Sequence, residues 1–303
     1  MNETTTGGNH ESAPGALRPP RLRVFAARRV ALRYHALAFV PLPEDDASLH
    51  RRGYSRAWRR LLEETGIPAA DLDDCIEAAR VVLAEGPRRL ALQADVLADP
   101  HADPDRAPLG TLESLLAPAF ELAWDEALEA TEICRRLFQD LLAIRGPLFA
   151  PVRLAGIERV DVHLCPALSA TGRALRLAQT YLVALPLPDD EASGLQALLQ
   201  LVHECCHPLC DDIVASAATA APDTARGAPG HAGHVLRENA ALVVGYHWLE
   251  SEPELRAAYL TWASRFRAPE ELERRLAEGL DVPDPPRAAL VERARSAACA
   301  VSR

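Results

Sequence analysis

The stretch LQALLQLVHECCHPL, residues 195–209, carries the most information about this chain. It contains a His-Glu-x-x-His motif at His203, Glu204 and His207. Residues four apart lie on one face of a helix, so both imidazoles can point at one metal ion. The apolar residues before the motif recur with helical spacing and predict a buried helix: Leu195, Leu198, Leu199 and Val202.

The motif has the residue types that zinc-assisted hydrolysis requires. Two neutral imidazole nitrogens can hold the ion, and Glu204, next to His203, can reach a water molecule bound to it. The alternative is a chance pair of histidines that are satisfied by hydrogen bonds on an apolar helix. The long apolar run before the motif favours a Zn²⁺ site.

The order of elements around the motif resembles that of the zincin metallopeptidases. Across residues 155–250 the sequence predicts, in order, two strands, the motif helix, a loop and a second helix with a Glu. The five-residue motif is the specific feature of this resemblance. The resemblance implies a zinc-dependent peptidase that acts on a peptide or protein. In that family a strand beside the active-site helix holds the substrate. We expect the strand at residues 181–187 to do so here, with the loop at 217–233 covering the cleft.

A catalytic zinc ion has three protein ligands and one open position, so a third ligand is needed. The metzincin pattern fails, because Cys210 stands in the glycine position and Ile213 in the third histidine position. Gluzincins take the third ligand from a Glu on a later helix, and Glu238 resembles that residue. Its apolar neighbours predict a carboxylate that needs either a metal or a cation such as Arg237.

Other side chains near Glu238 are further candidates for the site. His231 and His234 are rivals for the third ligand, and either can instead donate to the oxyanion that forms when water attacks a carbonyl. His234 lies one helical turn before Glu238. Tyr246, two turns after it, can donate its hydroxyl in catalysis or simply pack in the core.

One position departs from the thermolysin-like pattern. Those enzymes place an Asp four residues after the ligand Glu, as a partner for a zinc-bound His, and here Leu242 stands there. Such a partner must therefore come from elsewhere. Asp211 and Asp212 are candidates, although both can equally be exposed at a helix end.

The cysteines around the motif leave a second kind of metal site open. Cys206 and Cys210 share a helical stripe with both motif histidines, and thiolates bind zinc and copper(I) well. Cys205 is adjacent. A straight helix cannot place four ligands around one ion, and Pro208 disturbs the helix at this point. Buried cysteines are also commonly small apolar residues.

Composition narrows the class of protein. The 303 residues carry a net charge of -10, which argues against nucleic acid as a partner. All 33 basic residues are Arg, and the absence of Lys excludes a pyridoxal phosphate Schiff base and a phosphate-loop lysine. Seven cysteines, no signal-like segment and no apolar run of about 20 residues predict a cytoplasmic protein with reduced thiols, outside the membrane.

The hydrophobic patterns predict an α+β protein that is predominantly helical. We expect a disordered tail at residues 1–22, a mainly helical domain at 23–150, and a zincin-like metal-binding catalytic domain at 151–303 with a small sheet beside the motif helix. Alternation predicts strands at 159–165 and 180–187. Residues 111–145 predict one long helix or a helical pair, and 23–41 fit strand or helix.

The predicted function is therefore a zinc-dependent hydrolase, a gluzincin-like peptidase with His203, His207 and Glu238 as metal ligands and Glu204 as general base. The alternative is a non-catalytic metal-binding or interaction protein on a degenerate zincin scaffold, whose helical first half binds a partner. A third interpretation keeps the enzyme but restricts it to one dedicated peptide or protein of the same cell.

Overall fold

A computed structural model provides the fold. It describes residues 17–40, 69–83, 94–99, 110–169, 172–220, 231–264, 269–278 and 286–301, with 280, 282 and 284. The strands are β1 Arg21–Phe25, β2 Arg159–Cys165, β3 Arg173–Leu177 and β4 Thr180–Pro186. The helices include α1 Arg28–Leu37, α2 Ala69–Leu83, α3 Gly110–Arg145, α4 Glu191–Ala220, α5 His231–Trp248, α6 Pro253–Ala263, α7 Pro269–Ala277 and α8 Pro286–Val301. The chain is thus predominantly helical with one small sheet, which confirms the predicted α+β class.

The four strands form one mixed sheet in the order β1-β2-β4-β3. β1 and β2 pair in parallel, as do β2 and β4, whereas β3 pairs antiparallel with β4. The alternation in the sequence predicted β2 and β4 but not the short β3. The substrate-binding strand was also expected at residues 181–187, and this is wrong, because both edges of β4 are already paired with strands of the chain itself.

The sheet is covered on both faces. Val160, Val162 and Leu164 lie in an apolar cluster with α4, α5 and α8, as the alternation along β2 predicted. On the opposite face a second cluster joins the sheet to α1 and the first half of α3. Asp161 there accepts two hydrogen bonds from Arg23, at 2.7 and 2.6 Å. The central strands are therefore buried on both sides, and α4 packs directly on one of them.

The N-terminal part of the chain contributes to the same sheet as the C-terminal part. β1 begins at Arg21, so the predicted disordered tail, 1–22, overlaps the strand by two residues; residues 1–16 lie outside the described part. Val24, Phe138 and Leu142 belong to the apolar cluster that also contains α4. The sheet and this cluster therefore cross the predicted boundary at residue 150, and the division into two domains stays a prediction.

Local signals account for the beginning of α4. The Asp190 carboxylate accepts a hydrogen bond from the Ser193 backbone N–H at 2.7 Å, and the Ser193 hydroxyl accepts one from the Asp190 N–H at 2.9 Å. This reciprocal capping satisfies two N–H groups at the helix end. The hydrogen bond from Ser193 lowers the pKa of the exposed Asp190 carboxyl. The acidic residues Asp189, Asp190 and Glu191 predict a helix start near Glu191, and this start is confirmed.

The remaining predictions about helices have mixed outcomes. Residues 111–145 belong to a single helix, α3, which ends at Arg145. The segment 23–41, for which strand and helix were both open, contains the end of β1 followed by α1. The predicted loop at 217–233 is shorter, because α4 continues to Ala220 and α5 begins at His231, and residues 221–230 lie outside the described part. The sequence further predicts a helix from Ser55 and a loop at 98–108, of which residues 55–68 and 100–108 lie outside the described part.

Across the described ranges, no helix combines the length and the apolar character that crossing a lipid bilayer requires.

A buried histidine makes the stability of the fold depend on pH. His35 of α1 is 1% exposed, and its ring lies 5.2 Å from that of Phe39 and 5.6 Å from that of Phe120. Burial lowers its pKa from 6.5 to about 4. Between these two values the unfolded chain binds a proton at this position that the folded chain does not. The contribution of His35 is thus complete above pH 6.5 and is lost as the pH falls toward 4.

We expect His35→Gln to remove this dependence. The free energy of unfolding of the wild type should approach that of the variant on acidification from pH 6.5, by up to roughly 1.4 kcal/mol per pH unit. Urea unfolding at several pH values measures the difference between the two proteins. A difference that is the same at pH 7 and pH 4.5 contradicts this account.

Candidate metal centre

Two packed helices bring three potential ligands together. His203 and His207 lie one turn apart on α4, and Glu238 lies on α5, which packs along α4. His203 Nε2 is 3.1 Å from Glu238 Oε2, and His207 Nε2 is 3.6 Å from Glu238 Oε1. One ligand atom from each residue lies within 4.8 Å of the other two, so this group can hold a metal ion. The structure therefore brings together the three ligands that the sequence analysis predicted.

The Glu238 carboxylate lies against both imidazoles, with a different oxygen near each. Ligand atoms that bind zinc at its usual distances lie roughly 3.3–3.5 Å from one another. The separations of His203 Nε2 from Glu238 Oε2, 3.1 Å, and of His207 Nε2 from Glu238 Oε1, 3.6 Å, are of the same order. The imidazole side chains are 6% and 5% exposed, whereas that of Glu238 is 37% exposed. The group is therefore closed on the side of α4 and reachable from solvent beside Glu238.

Glu204 lies beside the ligands in a buried position. It is 8% exposed, and its Oε1 accepts a hydrogen bond from Gln200 Nε2 at 2.6 Å. Burial raises the pKa of the carboxyl, while the charges of His203 and Arg173 act in the opposite direction. A carboxylate whose pKa is raised by burial is a better proton acceptor at neutral pH.

A glycine before β3 makes room for this carboxylate. A Cβ atom on Gly172 would lie 2.7 Å from Glu204 Oε1 and 3.2 Å from Gln200 Nε2, both too close for ordinary contact. Gly172 is not in the left-handed region, so the close approach explains the residue better than backbone conformation does. The beginning of β3 thus forms one wall around Glu204.

A tyrosine from the sheet compensates for the proline in the motif helix. Pro208 has no N–H to donate to the carbonyl four residues earlier, which is that of Glu204. The hydroxyl of Tyr181, on β4, donates to this carbonyl at 2.8 Å. An unpaired buried carbonyl is thereby avoided, and α4 continues through Pro208 to Ala220. The same bond ties the backbone of Glu204 to the sheet.

A residue that the sequence analysis did not predict contacts the first histidine. The hydroxyl of Tyr259, on α6, lies 3.3 Å from His203 Nδ1, the ring nitrogen on the far side from Glu238. The indole of Trp262 lies 5.2 Å from the same imidazole. Nothing in the local sequence marks Tyr259, since an aromatic residue in an amphipathic helix most often fills a core.

The two aspartates of α4 that were candidates to hold a metal-binding histidine contact arginines instead. Asp211 accepts hydrogen bonds from Arg237 at 2.8 and 3.3 Å, and Asp212 pairs with Arg293 at 3.1 Å. Both aspartates are exposed, as the alternative for them expected. Arg237, considered as a cation for Glu238, is thus engaged with Asp211.

The buried thiols of α4 do not take part in the ligand group. Cys206 Sγ donates to the carbonyl of Val202 at 3.1 Å, and Cys210 Sγ donates to that of His207 at 3.3 Å. Burial raises the pKa of the Cys205 and Cys206 thiols and brings that of Cys210 to about 12. The group of ligand atoms formed by His203, His207 and Glu238 includes neither sulfur, which disfavours the thiolate alternative. All seven cysteines are free.

The remaining candidate site residues are Tyr246, His231 and His234. Tyr246 packs in an apolar cluster with α6 and α7, and its hydroxyl donates to Glu273 Oε1 at 3.2 Å. Tyr246 therefore packs in the core, which was the alternative to a catalytic role, and its hydroxyl is not brought to the ligand group. The side chains of His231 and His234 lie outside the described residues, so their predicted roles stay predictions.

Comparisons with known proteins add no relative. Neither the protein-family models, nor the curated proteins, nor the solved structures contain a match to this chain.

The contact between Tyr181 and Glu204 can be tested with the proline that makes it necessary. We expect Tyr181→Phe to lower the free energy of unfolding by about 1–3 kcal/mol, because the Glu204 carbonyl is left unpaired in the core. In a Pro208→Ala background the same substitution should cost less, since residue 208 then supplies a backbone N–H. Equal costs in the two backgrounds, measured by urea unfolding, contradict the proposed compensation.

The wall at Gly172 gives a second test. We expect Gly172→Ala to displace the Glu204 side chain and so to reduce any Glu204-dependent turnover, while bound metal stays at the wild-type level. Gly194→Ala is the matched control, because a Cβ there meets nothing within 4 Å. Turnover and metal content of the two purified variants are compared. Loss of activity in both, or in neither, contradicts a specific role for the space at Gly172.

Proposed function

We propose that this protein is a zinc-dependent hydrolase, and more specifically a peptidase of gluzincin type. The observation that supports this proposal is the convergence of His203, His207 and Glu238 from two helices, with the buried carboxylate of Glu204 beside them. Two imidazoles and one carboxylate are the donor set of known catalytic zinc sites, and three protein ligands leave a fourth position open.

Each residue of the site has a separate role in the proposed reaction. A zinc ion, when bound, supplies a Lewis acid that acidifies water and polarises a carbonyl. The imidazoles of His203 and His207 and the carboxylate of Glu238 would hold the ion. Glu204 accepts a proton from the attacking water and passes it to the leaving amine. Gln200, through its hydrogen bond to Oε1, and Gly172, through the space that it leaves, keep the Glu204 carboxylate in place.

The sheet suggests where a peptide can bind. β3 pairs on one edge with β4, and among the described residues no strand pairs with its other edge. An extended peptide can add to such an edge through main-chain hydrogen bonds. β3 also begins next to Gly172, which contacts Glu204. We therefore transfer to β3 the substrate-binding role that the sequence analysis assigned to residues 181–187.

Glu204→Gln tests the mechanism most directly. The substitution keeps the size of the side chain and removes its capacity to accept a proton, so bound zinc should stay near wild-type levels while turnover falls by roughly 10²–10⁴-fold. His203→Ala should instead lose the metal. Zinc content is measured by elemental analysis, and turnover by mass spectrometry of a peptide library with chelator and after zinc is restored.

The outcomes separate the candidate functions. Cleavage that depends on metal and on Glu204 supports a peptidase. Metal binding that requires His203 and His207, without cleavage of any peptide, supports the alternative of a metal-binding protein on a degenerate scaffold. Cleavage that survives Glu204→Gln contradicts the proposed mechanism.

A further inference from the structure

We propose that Tyr259 is the positioning residue for the metal ligand His203, and that Gly245 is required because it admits the Tyr259 hydroxyl. This inference rests on the proposed metal site. It assigns to α6 the task for which Asp211 and Asp212 were the sequence candidates, namely to supply the partner for a metal-binding imidazole.

The two nitrogens of His203 face different partners. Nε2 lies 3.1 Å from Glu238 Oε2, on the side of the ligand group, and Nδ1 lies 3.3 Å from the Tyr259 hydroxyl. A neutral imidazole carries one N–H, and the nitrogen that binds an ion must be the unprotonated one. Binding through Nε2 therefore requires the proton on Nδ1, from which it is donated to the Tyr259 oxygen. The Tyr259 oxygen can accept that hydrogen bond, so the contact suits the tautomer that binds metal and fixes the plane of the ring.

The surroundings hold Tyr259 in this position. The residue is fully buried, and its ring stacks on that of Trp262 at 5.3 Å. Trp262 in turn lies 5.2 Å from the His203 ring, so the two aromatic side chains of α6 contact the imidazole together. A buried, stacked phenol has little freedom to move its hydroxyl, which suits an orienting partner better than a flexible surface side chain does.

Gly245 explains how α5 and α6 approach closely enough. A glycine inside a helix costs about 0.5–1 kcal/mol relative to Ala, so its presence in α5 needs a reason. A Cβ on Gly245 would overlap the Tyr259 hydroxyl and would lie 2.7 Å from its Cζ. Any larger residue therefore pushes the phenol ring away. Gly245 on α5 and the Tyr259 hydroxyl on α6 therefore act together to position His203.

The partner is a neutral hydroxyl from a third helix. Leu242 occupies the position from which thermolysin-like enzymes supply a carboxylate, and the aspartates of α4 pair with arginines. Tyr259 takes the vacant role from another direction. An uncharged acceptor orients the imidazole without adding a negative charge to a buried site that already contains Glu204 and Glu238.

The experiment measures metal affinity in the full-length protein. We expect Tyr259→Phe, which removes only the hydroxyl, to raise the zinc dissociation constant by roughly 10–100-fold. Gly245→Ala should raise it as well, because it keeps the hydroxyl but displaces it. Affinity is measured by competition with a chromogenic chelator, and the visible spectrum of the cobalt-loaded protein reports the ligand geometry. The melting temperature of the metal-free protein is recorded for each variant.

Two controls isolate the effect. Tyr34→Phe removes a hydroxyl from another fully buried tyrosine, in the cluster on the opposite face of the sheet. Gly194→Ala adds a Cβ where nothing lies within 4 Å. Both should bind zinc as the wild type does, with an unchanged cobalt spectrum.

The possible outcomes distinguish this inference from the proposed function. Weaker zinc binding and an altered cobalt spectrum in both test variants, but in neither control, support the positioning role. A lower melting temperature with unchanged zinc affinity shows a purely structural tyrosine and overturns it. If the wild type binds no zinc, or binds it equally well after His203→Ala, the proposed metal site itself fails.

Discussion

The burial of polar groups on α4 is the constraint on which the rest of the structure depends. His203, Glu204 and His207 are each less than a tenth exposed, in a helix whose other residues from Ala197 to Cys210 are apolar except Gln200. Buried polar groups cost free energy unless each has a partner. The partners come from different parts of the chain, α5, α6 and the first turns of α4 itself. The packing of these elements around α4 is therefore tied to a polar requirement as well as to an apolar core.

The sheet meets the same requirement through the backbone of α4. Pro208 removes one helical hydrogen bond at the point where the motif ends, and the hydroxyl of Tyr181 replaces it from β4. The beginning of β3 approaches so closely that only a glycine fits beside Glu204. The position of the Glu204 side chain relative to the ligands is thus determined by contacts from two strands. A zincin-like reaction on this scaffold would depend on the sheet for alignment as much as on α4 and α5.

Local patterns predicted several elements well and failed where long-range pairing decides. The apolar periodicity before His203 and the acidic residues at the helix start predicted α4, and alternation predicted β2. These patterns depend only on neighbours in sequence, and both elements are present. β3 was missed because a five-residue edge strand has a weak pattern. The substrate strand was misplaced because which strands lie at an edge depends on sheet order. Tyr259 was missed because no spacing relates α6 to α4.

By itself the sequence determined the residue types of the candidate ligands, their helical spacing and the place of Glu204 beside them in the chain, since residues three and four apart on a helix share a face whatever the fold around them. It also contained Glu238 as a carboxylate among apolar neighbours. Only the tertiary structure decided that Glu238 meets both imidazoles, that Asp211 and Asp212 do not serve them, and that a tyrosine contacts His203 Nδ1. Those choices depend on how helices far apart in sequence pack together, and side-chain distances of 3–4 Å follow from that packing alone.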